Sequence, residues 1–99
     1  MVRELWTTEA EYVIVGKRTL VGRDEIVAYW EDNAREQQNV RWSIDRQLVA
    51  RNSIVATWRA DFDRRDRRQH YWLAGLLWIE TTPDERIARL AESFTKRIE

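Results

Sequence analysis

A change of hydrophobic period near residue 40 constrains this chain more than any other feature of its sequence. Before it, Ile26, Trp30 and Ala34 recur every four residues, joined by Val27 and Tyr29. Glu25, Asp32, Arg35 and Glu36 occupy the opposite face. That is the stripe of an amphipathic helix. After it the period is two. Val40, Trp42, Ile44, Leu48 and Ala50 alternate with Arg41, Ser43, Asp45, Gln47 and Arg51, and Arg46 alone breaks the pattern by standing on the apolar side. Asn52-Ser53 reads as a turn. Beyond it Ile54, Ala56, Trp58, Ala60 and Phe62 alternate with Val55, Thr57, Arg59, Asp61 and Asp63. The reading is two long antiparallel strands, each with a buried face and a wetter one.

The remaining segments fill in around these. Residues 2–8 read as the last turns of a helix or a short lead-in. Glu11–Val15 is a β-branched run, Gly16-Lys17 a turn, and Arg18–Val21 a returning strand, together a hairpin. The helix opens at Gly22-Arg23-Asp24-Glu25, with acidic residues at the positive end of its dipole, and runs over about 22–36. Arg64–Arg68 is a polar hairpin tip whose own Asp66, with Asp61 and Asp63, offsets its arginines. Gln69–Thr81 is apolar on both faces, so it predicts a central strand covered on both sides. Gly75 within it predicts a bulge or bend. Thr82–Glu85 is a turn. The last segment, Arg86–Phe94, fits helical spacing as well as a strand.

With 99 residues, one domain over 1–99 is expected. The 17 basic and 17 acidic residues leave no bulk field for nucleic acid or an anionic membrane, so neither partner is expected. Cysteine is absent and His70 is the one histidine. That excludes thiolate and multi-histidine metal sites, and no metal or cofactor is expected. No apolar run approaches a membrane span and the first residues lack signal-peptide character, which makes a cytoplasmic location the expectation. Six tryptophans, at positions 6, 30, 42, 58, 72 and 78, must fill a core, wall a pocket or anchor an interface.

Three local patterns carry a family resemblance: Leu5-Trp6-Thr7-Thr8-Glu9-Ala10-Glu11-Tyr12-Val13, then Val21-Gly22-Arg23-Asp24-Glu25-Ile26 with Tyr29-Trp30, then Asp84 to Phe94 with its Ile87, Arg89, Leu90 and Glu92. In this order and spacing they resemble the NTF2-like (SnoaL-like) superfamily. The resemblance implies an α+β cone, a curved antiparallel or mixed sheet packed on one main helix, and makes the last segment a strand. It also implies a short member lacking most of the family's N-terminal helices, hence an open cavity or one closed by a partner. A homodimer through the outer sheet face is implied too, in agreement with the doubly apolar fifth strand.

On that fold the apolar-face residues Trp42, Ile44, Trp58 and Phe62 line a pocket, joined by Tyr12, Tyr29 and Trp30. Arg46, Glu92 and either His70 or Tyr71 are its polar candidates. Family enzymes use a carboxylate base, a Tyr–Asp oxyanion pair or an Asp–Arg–Asp set. Asp45, Arg59, Asp61 and Asp63 supply those types here, but alternation places Asp45, Arg59 and Asp61 on the wetter face, unless a one-residue bulge intervenes. Glu92 and His70 are the candidate catalytic groups. Three readings result: a homodimeric small-molecule-binding domain with an aromatic-lined cavity, a cyclase-, isomerase- or hydrolase-like enzyme using Glu92 or His70, and a dimerisation or adaptor domain.

Overall fold

A computed structural model describes residues 3–99. Residue 2 of the expected helical lead-in lies outside the described residues. The rest of that segment is not a helix end: Arg3–Leu5 form a single 3-10 turn and Trp6 already begins a strand. The elements are β1 (Trp6–Ile14), β2 (Arg18–Val21), α1 (Arg23–Glu36), β3 (Gln37–Ala50), β4 (Ser53–Arg64), β5 (Gln69–Thr81) and β6 (Ile87–Ile98). The six strands form one sheet in the order β2-β1-β6-β5-β4-β3. All neighbours are antiparallel except β1 and β6, which run parallel. The fold is the curved mixed sheet with one packed helix that the resemblance implies. Within the described residues, no helix is long and apolar enough to cross a membrane.

The helix starts where glycine permits it. Gly22 has φ 94°, a left-handed conformation that side-chain-bearing residues adopt at a cost. Its N–H donates to the Ala10 carbonyl at 2.8 Å and its carbonyl accepts from Ile26 N–H at 3.2 Å. The turn thus ties α1 to β1 and then starts it. The apolar stripe lands as its period requires: Ile26 is fully buried, with Tyr29 and Trp30 packed on a cluster of Trp6, Ala10, Tyr12, Ile14, Leu20 and Leu90. Fully burying a side chain such as Ile26 contributes about 1.5–3 kcal/mol.

Directly opposed residues on neighbouring strands share a face, so the register sorts every side chain. One face, the helix side, carries Tyr12, Ile14, Leu90, Glu92, Phe94, Ala56, Trp58, Phe62 and Tyr71. The outer face carries Val13, Ala91, Trp72, Leu76, Trp78, Val55, Arg59 and Asp61. Strand β3 departs from strict alternation. Ile44 opposes Trp58, but Arg46 opposes Thr57, so Asp45 is the extra residue of a bulge. The bulge leaves Asp45, Arg59 and Asp61 on the outer side, where alternation puts them. It turns Arg46 and Leu48 outward as well. Arg46 is therefore not a polar group of the helix side, and Leu48 does not share a face with Trp42.

Gly75 resolves differently from its expectation. The ladders of β4 and β6 run through it without a shift, so it marks no bulge. A methyl group there would lie 2.0 Å from the Ser93 carbonyl oxygen and 2.9 Å from Phe94 Cα. The glycine is a close approach. It lets Trp58 on β4 and Phe94 on β6 meet across β5, with ring centroids 6.1 Å apart.

Candidate functional site

The helix side gathers most of the aromatic residues that the sequence nominates. Tyr12 rises from β1 into the angle between the sheet and α1. Its ring lies 5.7 Å from Tyr29 and 5.8 Å from Trp30, which contact each other at 5.8 Å. Farther along the same face, Trp58 meets Phe94, and Phe62 stacks on Tyr71 at 5.5 Å. The indole N–H groups of Trp30 and Trp58 are buried without a hydrogen-bond partner among the described residues. Trp42 sits in a row of this face, but β3 is the sheet edge and the side chain is 57% exposed. The structure therefore brings Tyr12, Tyr29 and Trp30 into one group and sets Trp58 and Phe62 beside it, while Trp42 stands outside.

Glu92 is the polar centre of this face. The Tyr12 hydroxyl donates to its Oε1 at 2.5 Å, which leaves Oε2 as the open oxygen. Burial pushes the Glu92 carboxyl above the usual carboxylate range. The Tyr12 hydrogen bond and the nearby Lys17 ammonium oppose that shift without cancelling it. Burial first, and the neighbouring Glu92 second, raise the Tyr12 phenol far above its ordinary value, so it stays a donor. A carboxyl with a raised pKa and one fixed donor can accept a proton from a bound molecule and return it.

His70 lies on the opposite face. Its Nδ1 is 2.6 Å from Asp63 Oδ1 and its Nε2 is 3.0 Å from Asp61 Oδ1. The Asp63 hydrogen bond, outweighing partial burial, raises the imidazole pKa. Asp63, which also accepts from Asn39 Nδ2 at 2.9 Å, is held below its usual range, by Asn39 first and His70 second. Asp61 is 9% exposed and accepts from Arg41 Nε and Nη2 at 3.1 and 3.0 Å. Arg59 grips Asp45 through Nε and Nη2 at 2.8–3.1 Å. This is an ion-pair lattice. Over it lies an open groove of about 560 Å³, lined by Arg41, Ser43, Arg59, Trp72, Thr95 and Arg97 among others. An imidazole held between two carboxylates favours its charged form, which suits a clamp better than a base. His70 and Glu92 are not brought together.

At the arginine-rich tip, Arg64 pairs with Glu36 and Asp66 at 3.0 Å each, as the offsetting acids suggest. No cluster of three or more potential metal-ligating side chains occurs among the described residues. Phe94 and Lys96 were missed as members of the helix side. Glu92, Phe94 and Lys96 stand at period two, and that spacing was the available signal, but β6 continues past Phe94 to Ile98.

Comparison with known proteins agrees with this fold. The fold is that of NTF2-like proteins. Residues 1–90 match the model of the SnoaL-like domain, and the chain belongs to that family. Among solved structures, it is similar to an NTF2-like protein of unknown function from Cytophaga hutchinsonii, at 12% identity and TM-score 0.80, over 95% of this chain and 82% of that one. It is also similar to a putative SnoaL-like polyketide cyclase from Jannaschia sp. CCS1, at 10% identity and TM-score 0.82, over 93% and 68%. A third similar structure is the epoxide hydrolase/cyclase-like enzyme SalBIII of pyran ring formation in salinomycin, at 17% identity and TM-score 0.81, over 94% and 74%. At these identities the likeness is one of fold. No curated protein matches the sequence.

Proposed function

We propose that this chain is a small-molecule-binding SnoaL-like domain whose helix-side face takes a flat, apolar ligand, and that Glu92 exchanges a proton with it. The observation that carries this reading is the Tyr12–Glu92 hydrogen bond, made among aromatic rings. Tyr12, Tyr29, Trp30, Trp58 and Phe62 supply the apolar contact such sites use, and the unpartnered N–H groups of Trp30 and Trp58 can take an acceptor oxygen. In the reaction this geometry suits, Glu92 Oε2 removes a proton from a carbon next to a carbonyl and delivers it elsewhere on the same molecule. Tyr12 steadies the carboxylate while it is charged. Two of the similar structures, a putative polyketide cyclase and an epoxide hydrolase/cyclase-like enzyme, support that class.

The test has two stages. N-phenyl-1-naphthylamine, a neutral apolar probe, is titrated into the chain, and its emission should rise saturably and fall after Trp58→Ala. Solvent deuterium uptake at the α-carbon of a panel of cyclic ketones is then followed by NMR. Glu92→Gln should slow it by roughly 10²-fold or more. Uptake equal in the variant would sink the proton-transfer role. A probe that never binds would sink the ligand site itself.

The outer face favours a homodimer as the working form of this single domain. Leu48, Val55, Leu76 and Trp78 are exposed there, Leu48 at 77%, and the register places Leu48, Val55, Trp78 and Ala91 in one row. Contiguous exposed apolar side chains of this kind mark interfaces. Sedimentation should give a dimer at micromolar concentration and a monomer for Trp78→Glu. A monomeric parent chain would overturn this part of the reading.

A further inference from the structure

Resting on the helix side as the ligand face, we propose that the ligand is an acid: a flat apolar molecule bearing a carboxylate or similar anionic group, received by Lys17 and Lys96. The two residues are the only lysines among the 17 cationic side chains, the rest being arginine. The fold brings both to the same face. Lys17, in the β1–β2 turn, holds its Nζ 4.3 Å above the Phe94 ring. Lys96, two positions beyond Phe94 on β6 and so about 7 Å along the strand, holds its Nζ 5.6 Å from the Tyr71 ring. One ammonium thus stands over the Trp58–Phe94 pair and the other beside the Phe62–Tyr71 stack.

Both ammonium groups stand over aromatic rings and outside any salt bridge among the described residues, and Glu92 is the acid near enough to Lys17 to feel its charge. On the outer face and at the tips Arg41, Arg59, Arg64 and Arg97 each have a carboxylate within 4 Å. Neither lysine has one among the described residues. The face offers little negative charge to quench them. Glu92 is the one carboxylate among its strand residues, and its Oε1 is already engaged by Tyr12. An unpaired ammonium over an aromatic ring keeps most of its donors for a ligand. Trp58, which meets Phe94 on the same face, adds an unpartnered indole N–H. By contrast, the groove of the outer face, which Lys96 also borders, has its guanidinium groups matched by Asp45, Asp61 and Glu99.

The experiment is calorimetric titration of the chain with 2-naphthoate and with 2-naphthamide, which differ in charge and hardly in shape. The parent chain should prefer the acid by roughly tenfold or more, as a charge-assisted contact requires. Lys17→Met with Lys96→Met should erase the preference while leaving naphthamide affinity within about twofold, since the two side chains are exposed and the neutral contacts remain. The Trp58 indole N–H resonance should shift with naphthoate. Equal affinity for both probes in the parent chain overturns the lysine assignment and leaves the ligand site standing. A preference that survives in the double variant, or shifts confined to Trp72 and Trp78, overturns it too, by placing the charge recognition elsewhere. Absence of binding by either probe removes both this inference and the ligand-binding reading beneath it.

Discussion

The two faces of the sheet use the same residue types to opposite ends. On the helix side Glu92 is half-buried, with a phenol as its hydrogen-bond partner, and its pKa rises. On the outer face Asp63 is wrapped by Asn39 and His70, and its pKa falls. Aromatic residues divide in the same way. Tyr12, Trp58, Phe62 and Tyr71 are buried, whereas Trp78 is half exposed. Burial that outweighs nearby donors and positive charge raises a carboxyl's pKa, while hydrogen bonds and charge that outweigh burial lower it and leave the carboxyl structural. Strand alternation separates the two kinds of chemistry by the thickness of one sheet.

The sharpest way to break this division is at Gly75, where the faces meet the tightest backbone. Gly75→Val should cost about 3 kcal/mol or more, because the clash is with backbone and forces β6 away from β5. Denaturant midpoints measure it, and an unchanged midpoint would mean that Trp58 and Phe94 do not need the glycine. Next is Asp61→Ala on the outer face. It strips Arg41 and His70 of a buried partner and should cost about 2 kcal/mol by the same measurement. Tyr12→Phe on the helix side should cost about 1–1.5 kcal/mol. It should also move the Glu92 titration, read by carboxyl ¹³C NMR, further upward, because the phenol's hydrogen bond holds it down. A downward move would reverse the assigned sign.

The smallest effect is the pH dependence of the clamp. His70 has a raised pKa in the folded chain. Its contribution is therefore fully present below its unfolded value, about 6.5, and is lost as pH rises through the folded value. Asp63, with a lowered pKa, contributes above about 3.9 and loses that contribution as pH falls through its folded value. His70→Asn should flatten the upper limb of the stability–pH curve and spare the helix side. Glu92 has the sign of His70 and the opposite of Asp63: with a raised folded pKa, its contribution is present below its unfolded value, about 4.3, and is lost as pH rises through the folded value, and Glu92→Gln should remove this slope.

The periodicities, and with them most of the elements, are legible in the residue pattern alone. Ile26, Trp30 and Ala34 made α1, and the alternation over Ile54–Phe62 put Trp58 and Phe62 on the buried face and Arg59 on the other. With the motifs around Tyr12, Gly22 and Glu92, that was enough for the family and for the grouping of Tyr12, Tyr29 and Trp30. The rest depends on how the strands pair. The Asp45 bulge, which turns Arg46 and Leu48 outward, leaves one mark in the sequence, the out-of-phase Arg46, but a single polar residue on an apolar face does not say whether the strand slips by one or the side chain is simply tolerated there. Trp42 was apolar and in phase, yet its exposure depends on β3 having no neighbour beyond it. The parallel pairing of β1 with β6 joins Tyr12 to Glu92 across 80 residues. Contacts of that separation are made by the closing of the sheet, and local spacing carries no signal for them.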